Sequence, residues 1–260
     1  MKILVCLKQV PHQDARLDIN ESGSWIKEDG IKFEINSYDT YALEEGLRIK
    51  DAGEAEVVVA SIGPDRVSQS LRTALGMGAD RAVHLKDPEI GGSDALAIAK
   101  LLAAVAKEES PDLVLMGLMS DDANAASVPP MLAELIGVPS ATGVMKLEIR
   151  DGGVRCEREL EGGALEVVDM TTPCVVAVQT GINQVRYASL KGIMAAKKKP
   201  MDVKTAGDLG LAGQVGGAAA KVQIEKIYAP AKGDGAEIIE GSTGEVVEKL
   251  VGKIKELGLL

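Results

Sequence analysis

Three features of the chain predict an open, doubly wound α/β fold with a mostly parallel sheet. Short β-branched runs alternate with helical patterns of period 3.6, the grammar of βαβ units. The hydrophobic residues, 46% of 260, include only one Phe, one Trp and four Tyr. The core is therefore Val, Ile, Leu, Ala and Met, the material of helices packed on buried parallel strands. From Met145 to Met170 the pattern changes to alternating apolar and polar residues around Asp151-Gly152-Gly153 and Gly162-Gly163, which adds an antiparallel hairpin pair.

The elements follow in order. KILVCL, Lys2 to Leu7, reads as the first strand. A polar excursion through Trp25 and Phe33 carries turn signals at Glu21-Ser22-Gly23 and Glu28-Asp29-Gly30 and reads as a hairpin. A helix opened by Asp39 or Thr40 as N-cap carries Ala42, Leu43, Leu47 and Ile49 on its apolar stripe. EVVVASIG, Glu56 to Gly63, is a buried strand ended by Gly-Pro, and a helix runs from Asp65 to Met77. RAVHLK, a helix from Ser93 to Lys107, the strand DLVLMG from Asp112 to Gly117, and a helix from about Asn124 to Ile136 continue the repeat. CVVAVQ, Cys174 to Gln179, is one more buried strand. The Gly-, Ala- and Lys-rich stretch from Met201 to about Gly241 reads as an extended arm. A last helix spans Thr243 to Leu257, with Glu245 at its start and Lys253 and Lys255 near its end, as the helix dipole prefers.

Composition removes several functions. A net charge of −10 argues against nucleic acid, because neutralising phosphates takes a basic face. Cys6, Cys156 and Cys174 are odd in number and widely spaced, so they are expected as small buried hydrophobes rather than disulfides or zinc ligands. Met1 leads straight into an apolar strand with no leader-like region, and no run reaches the roughly 20 apolar residues of a membrane span. A cytoplasmic protein is expected. His12 and His84 are far apart, and no phosphate loop, nucleophile elbow or zinc spacing is present. That counts against the rival class, an adenylating or ATP-hydrolysing enzyme.

In a doubly wound sheet the ligand lies at the carboxyl ends of the strands. Small and polar residues gather there, in Asn36 to Asp39, in Ser61-Ile62-Gly63, and in GLMSDDANAASV from Gly117 to Val128. Asn124, Ala125, Ala126 and Ser127 are expected to enter a helix N-terminus, where free N–H groups favour a phosphate. Asp121 and Asp122 would oppose that anion and instead cap the helix or hold a neighbouring loop. The residues alone leave capping and phosphate binding open. The segment VRYASLKGIMAAKKKP, Val185 to Pro200, sets Arg186, Lys191, Lys197, Lys198 and Lys199 around apolar residues with no carboxylate among them. It reads as a capped helix end, a solvated loop or a docking device.

CLKQV, YALEEGLRIKD, SIGPD, LRTALGMGADRAVHL, DLVLMG, RELEGGALEV and NQVRYASLKGIMAAKKKP together resemble the β subunit of the electron transfer flavoprotein, in order and spacing, over nearly the whole chain. The resemblance implies a Rossmann-like sheet of the adenine nucleotide α-hydrolase-like kind. Residues 1–200 would form the nucleotide-binding domain, with a recognition loop at 183–200, and residues 201–260 an arm and helix wrapping an α subunit. It implies FAD held mainly by α, and a structural AMP contacted by Leu7, Lys8, Asn36, Ser37, Tyr38, Asp39, Ile62, Gly63 and the run Gly117, Leu118, Met119, Ser120, Asp121, Asp122, Asn124, Ala125, Ala126, Ser127 and Val128. It implies docking of an acyl-CoA dehydrogenase through Arg186, Tyr187, Leu190, Ile193, Met194, Lys197, Lys198 and Lys199, with Leu190 as apolar anchor. Glu166 would contact the flavin domain of α, and electrons would pass toward a quinone reductase, the electron transfer flavoprotein:quinone oxidoreductase or its equivalent. No catalytic residue and no metal are expected.

The chain also departs from the pattern. A branch of the family carries a second FAD in place of AMP and bifurcates electrons from NADH. KQVPH and GGSDALAIA lean that way, but Ala95 and Ile98 or its neighbour stand where that branch has threonines, which removes about two hydrogen bonds to a charged group, each on the order of 1.5–3 kcal/mol. After Gly117, Leu118-Met119-Ser120 replaces a longer Lys-Gln stretch, and Pro129-Pro130 follows Val128. AMP is expected, with FAD as the alternative.

Overall fold

The computed structural model describes residues 1–231, 233 and 235–260. They divide into a larger unit, Met1–Asp18 with Lys27–Glu225, and a smaller one, Ile19–Ile26 with Lys226–Leu260.

The larger unit opens with β1 (Lys2–Leu7), the short strand β2 (Gln9–Pro11) and its antiparallel partner β3 (Phe33–Ile35). It continues through α1 (Ser37–Ala52), β4 (Glu56–Ile62), α2 (Val67–Met77), β5 (Arg81–Leu85), α3 (Ala95–Glu109), β6 (Leu113–Gly117) and α4 (Val128–Ile136). Then come β7 (Ser140–Arg150), β8 (Gly153–Glu159), β9 (Leu165–Thr171), β10 (Cys174–Val178), the short helix α5 (Leu190–Ala196) and β11 (Met201–Lys204). The nine-stranded sheet has the order β11-β5-β4-β1-β6-β10-β7-β8-β9. The first six of these strands pair in parallel, β10 pairs in parallel with β7, and β7, β8 and β9 extend the sheet as an antiparallel meander.

Strand periodicity makes two cores. Ile3, Val5 and Leu7 of β1 face one side with Leu43 and Leu47 of α1 and Leu71 and Leu75 of α2. Leu4 and Cys6 face the other, with Leu101, Leu102 and Val105 of α3 and Leu132 of α4. Successive strand residues point to opposite faces, so a strand covered by helices on both sides must be apolar throughout. All three cysteines are free and buried, as expected of small hydrophobes, and burial pushes the Cys156 and Cys174 thiols up to about 12 and about 11. Among the described residues no helix is long and apolar enough to cross a membrane.

The stretch after Met201 is not an arm at its start. Met201–Lys204 pairs with β5, and Ala206 and Val215 are buried in the second core. The run that follows is held by groups that composition does not reveal. Ala206 N–H donates to Asp87 at 2.9 Å, Gly216 N–H to the Ser93 hydroxyl at 2.9 Å, and Gly217 N–H to the Gly91 carbonyl at 2.9 Å.

In the smaller unit, α6 (Thr243–Glu256) starts with a capping box between Ser242 and Glu245. Its Val247 and Leu250 are exposed, as are Leu257, Leu259 and Leu260 beyond it.

Candidate functional site

The chain leaves β1 toward β4 and β5 on one side and toward β6 and β10 on the other, so the topological switch lies between β1 and β6. Asp39 closes that crevice. Its carboxylate accepts from Lys8 N–H at 2.6 Å and Gly117 N–H at 3.0 Å, joining the ends of the two strands. Burial pushes its pKa from 3.8 up to about 7, against the pull of those N–H donors, Asn36 and the Lys8 charge. Because Asp39 is turned inward it does not cap α1. The helix starts earlier than expected, with Asn36 as N-cap.

The expected nucleotide contacts from β1, α1 and the β6 loop come together here. Asn36 is buried and its amide bonds Met119 O and Asp121 N–H, each at 2.9 Å. Asp121 accepts from Ser37 N–H at 2.9 Å and from the Ser37 hydroxyl at 2.8 Å, so a carboxylate covers the positive end of α1. Lys8 reaches the same loop, donating to Asp122 at 2.6 Å and to Ser120 at 3.3 Å. Gly117 is required by this packing, since a Cβ there would lie 2.4 Å from Asp39 Oδ1 and 2.5 Å from Tyr38 Cβ.

Beside β1, Ser61 donates its hydroxyl to Leu7 O at 2.7 Å, which sets Ile62 and Gly63 next to Leu7 and Lys8. His84, which pairs in register with Ser61, fixes the turn: its Nε2 bonds Gly63 O at 3.0 Å, while Gly63 N–H donates to Leu85 O. The sequence alone gives His84 no role. Its place inside the apolar run Ala82–Leu85 is the one signal the sequence offers.

Asn124 to Ser127 do not begin a helix. α4 starts at Val128, and Asn124 and Ala126 both take left-handed backbone, each with φ 48°. The prolines explain the late start: Pro129 and Pro130 fit a first helical turn but bring no N–H to a longer one. Among the described residues the N–H groups of Ala125, Ala126, Ser127 and Val128 have no acceptor. Successive N–H groups in such a turn form an anion-binding concavity. The donor set therefore fits a phosphate at the loop, while Asp121 serves α1.

On the 183–200 loop, Gly192 lets α5 lie on α2. A Cβ at Gly192 would sit 2.2 Å from Gly76 O. Ser189 caps the helix by accepting from Gly192 N–H at 3.0 Å. Held this way, α5 turns Leu190 outward at 83% exposure, with Met194 at 72%, Ile193 at 49% and the preceding Tyr187 at 97%. Lys197 and Lys198 are exposed, but two other cations face inward. Lys199 donates to Leu75 O at 3.0 Å and Ala79 O at 2.5 Å, and desolvation pushes its pKa down. Arg186 is bound to Glu44 and Asp51. On the meander, Glu166 is paired with Arg158 across the strands at 2.7 Å.

A family model described as the electron transfer flavoprotein domain matches residues 24–209. A protein of Methylophilus methylotrophus named electron transfer flavoprotein subunit beta is 40% identical over 98% of both chains. The subunit beta of Mus musculus is 33% identical over 99% of this chain and 98% of its own. A protein of Acetobacterium woodii named as a subunit of a caffeyl-CoA reductase-Etf complex is 37% identical over 98% of both.

Proposed function

The chain belongs to the electron transfer flavoprotein β-subunit family, so it is an electron transfer subunit, and from that premise we propose that it binds AMP structurally, pairs with an α subunit and docks an acyl-CoA dehydrogenase. The observation that carries the nucleotide reading is the loop whose N–H groups from Ala125 to Val128 have no acceptor, on the same β6 loop that Lys8 bonds at the switch point. Those groups would hold the phosphate. The ends of β1 and β4, from Leu7 and Lys8 to Ile62 and Gly63, would hold the adenosine. FAD, held mainly by α, supplies the electron-carrying chemistry when bound. The β chain contributes docking and support: Leu190, buried in a pocket of the dehydrogenase, contributes roughly 1.5–3 kcal/mol, suited to a complex that forms and releases. Electrons then pass toward a quinone reductase. The exposed apolar residues of α6 support a partner that covers them, and Glu166 would meet the flavin domain of that partner.

AMP is favoured over a second FAD at the first turn of α3. Ala95 and Ile98 offer no hydroxyl there, and the Asp94 carboxylate is engaged by the N–H groups of Ala97, Lys221 and Val222. The second reading, a bifurcating subunit, draws on KQVPH and on the likeness to the Acetobacterium protein. The experiment is to co-purify the chain with its α subunit, release ligands by denaturation and count them. One FAD with one AMP is expected; two FAD and no AMP would establish the second reading instead.

A further inference from the structure

Arg186 is the conspicuous cation of the docking loop, yet its guanidinium is engaged within the chain. Nε and Nη2 donate to the two oxygens of Glu44 at 2.8 and 2.9 Å, the backbone N–H of Arg186 reaches Glu44 Oε2 at 3.2 Å, and Nη1 lies 2.8 Å from Asp51. Glu44 is nearly sealed, at 3% exposure. Asn183, on the same segment, donates to Tyr41 O at 3.0 Å and Glu45 Oε2 at 2.9 Å, and Arg48 faces Glu45 at 3.2 Å. Thus the segment ahead of α5 is bound to one face of α1 by a bidentate ion pair and an amide. A buried carboxylate keeps its charge only with such a partner.

We propose that Glu44 and Arg186 form an internal clamp that positions the docking helix, so that Arg186 acts on the dehydrogenase through the placement of Tyr187 and Leu190 rather than by touching it. The proposal rests on the docking reading above. Geometry separates the two roles: a contact residue would present its fork outward, whereas this fork is spent on Glu44 and Asp51. The clamp supports α5 from α1, while the Gly192–Gly76 contact and the Arg72 bonds to the Ala196 and Lys199 carbonyls, at 2.6 and 3.0 Å, support it from α2.

The test is a double-mutant cycle in the assembled heterodimer, with purified acyl-CoA dehydrogenase as electron donor and the heterodimer as varied substrate. Glu44→Gln and Arg186→Gln should each raise KM by about tenfold with kcat nearly unchanged, and the double variant should be no worse than either, the non-additivity of one shared interaction. FAD content and the salt dependence of the rate should match wild type. Asp51→Asn, at the exposed end of the clamp, gives a milder arm of about twofold if either main variant fails to fold. A raised KM in Arg186→Gln alone, with a reduced salt dependence, overturns the clamp and makes Arg186 a direct contact. Unchanged KM in both, while Leu190→Ala raises it, also overturns the clamp but leaves the docking reading standing. Unchanged KM in Leu190→Ala refutes the docking reading itself.

Discussion

Asp39 carries the chemistry of the sheet edge at the scale of a residue, because it is buried, titratable and bonded to the ends of two strands. Its pKa in the fold is about 7 against 3.8 when free, so between those values the folded chain holds a proton that the unfolded chain has released. Stability from this group is therefore full below pH 3.8, falls as pH rises through the window to about 7, and is level above it. Paired carboxylates elsewhere have the opposite slope, so the difference between wild type and Asp39→Asn isolates the effect. Thermal unfolding from pH 4 to pH 8 should show a melting temperature that declines more steeply in wild type than in the variant. Parallel curves would place the titration elsewhere. Gly117→Ala tests the same junction sterically. Its Cβ would meet the Tyr38 backbone carbon at 2.8 Å as well as Asp39, so a loss of about 1–3 kcal/mol in urea unfolding is expected, together with loss of AMP from the purified heterodimer.

At the scale of elements, the strands are legible because burial on two faces leaves almost only apolar residues in the interiors of β1, β4, β6 and β10, Ser61 of β4 being the buried polar exception. The meander was legible from its alternation. Two elements were not. The start of α4 is not legible, because Asn124 suits a helix N-terminus and Ala126 a helix interior by residue type, and only their left-handed backbone excludes them. The run after β11 looked like an arm because backbone N–H groups docking on Asp87, Ser93 and Gly91 leave no periodicity. The proposed nucleotide edge is legible as a set of segments, but not the division of labour within it, in which Asp121 serves α1 while Ala125, Ala126, Ser127 and Val128 keep their N–H groups free. α5 gives the prediction at this scale. Gly192→Ala must push the helix off the Gly76 carbonyl, so the melting temperature should fall, and Leu190 should lose its effect on dehydrogenase KM. Retained melting temperature and retained sensitivity to Leu190→Ala would show that α5 tolerates the shift.

Across the whole molecule, the docking reading has a chain of net charge −10 meet an acidic partner through a dense run of cations, and the fold has sorted those cations by direction. Lys191, Lys197 and Lys198 face solvent around Leu190, while Lys199 supports the end of α2 through the carbonyls of Leu75 and Ala79. Ionic screening acts over about 10 Å at 0.1 M salt, so at contact distance the local patch outweighs the distant negative charge. Steering by exposed lysines changes association rate and its salt dependence more than the strength of the final complex. Reduction of the heterodimer by the dehydrogenase under second-order conditions should therefore slow as salt is raised. Lys191→Gln, Lys197→Gln and Lys198→Gln combined should slow the low-salt rate and flatten the salt dependence, leaving the melting temperature in place. Lys199→Gln should do the reverse, because it removes two hydrogen bonds from the end of α2 and no charge from the docking face. If Lys199→Gln flattens the salt dependence as strongly as the triple variant, the sorting of these cations by the fold has no bearing on encounter.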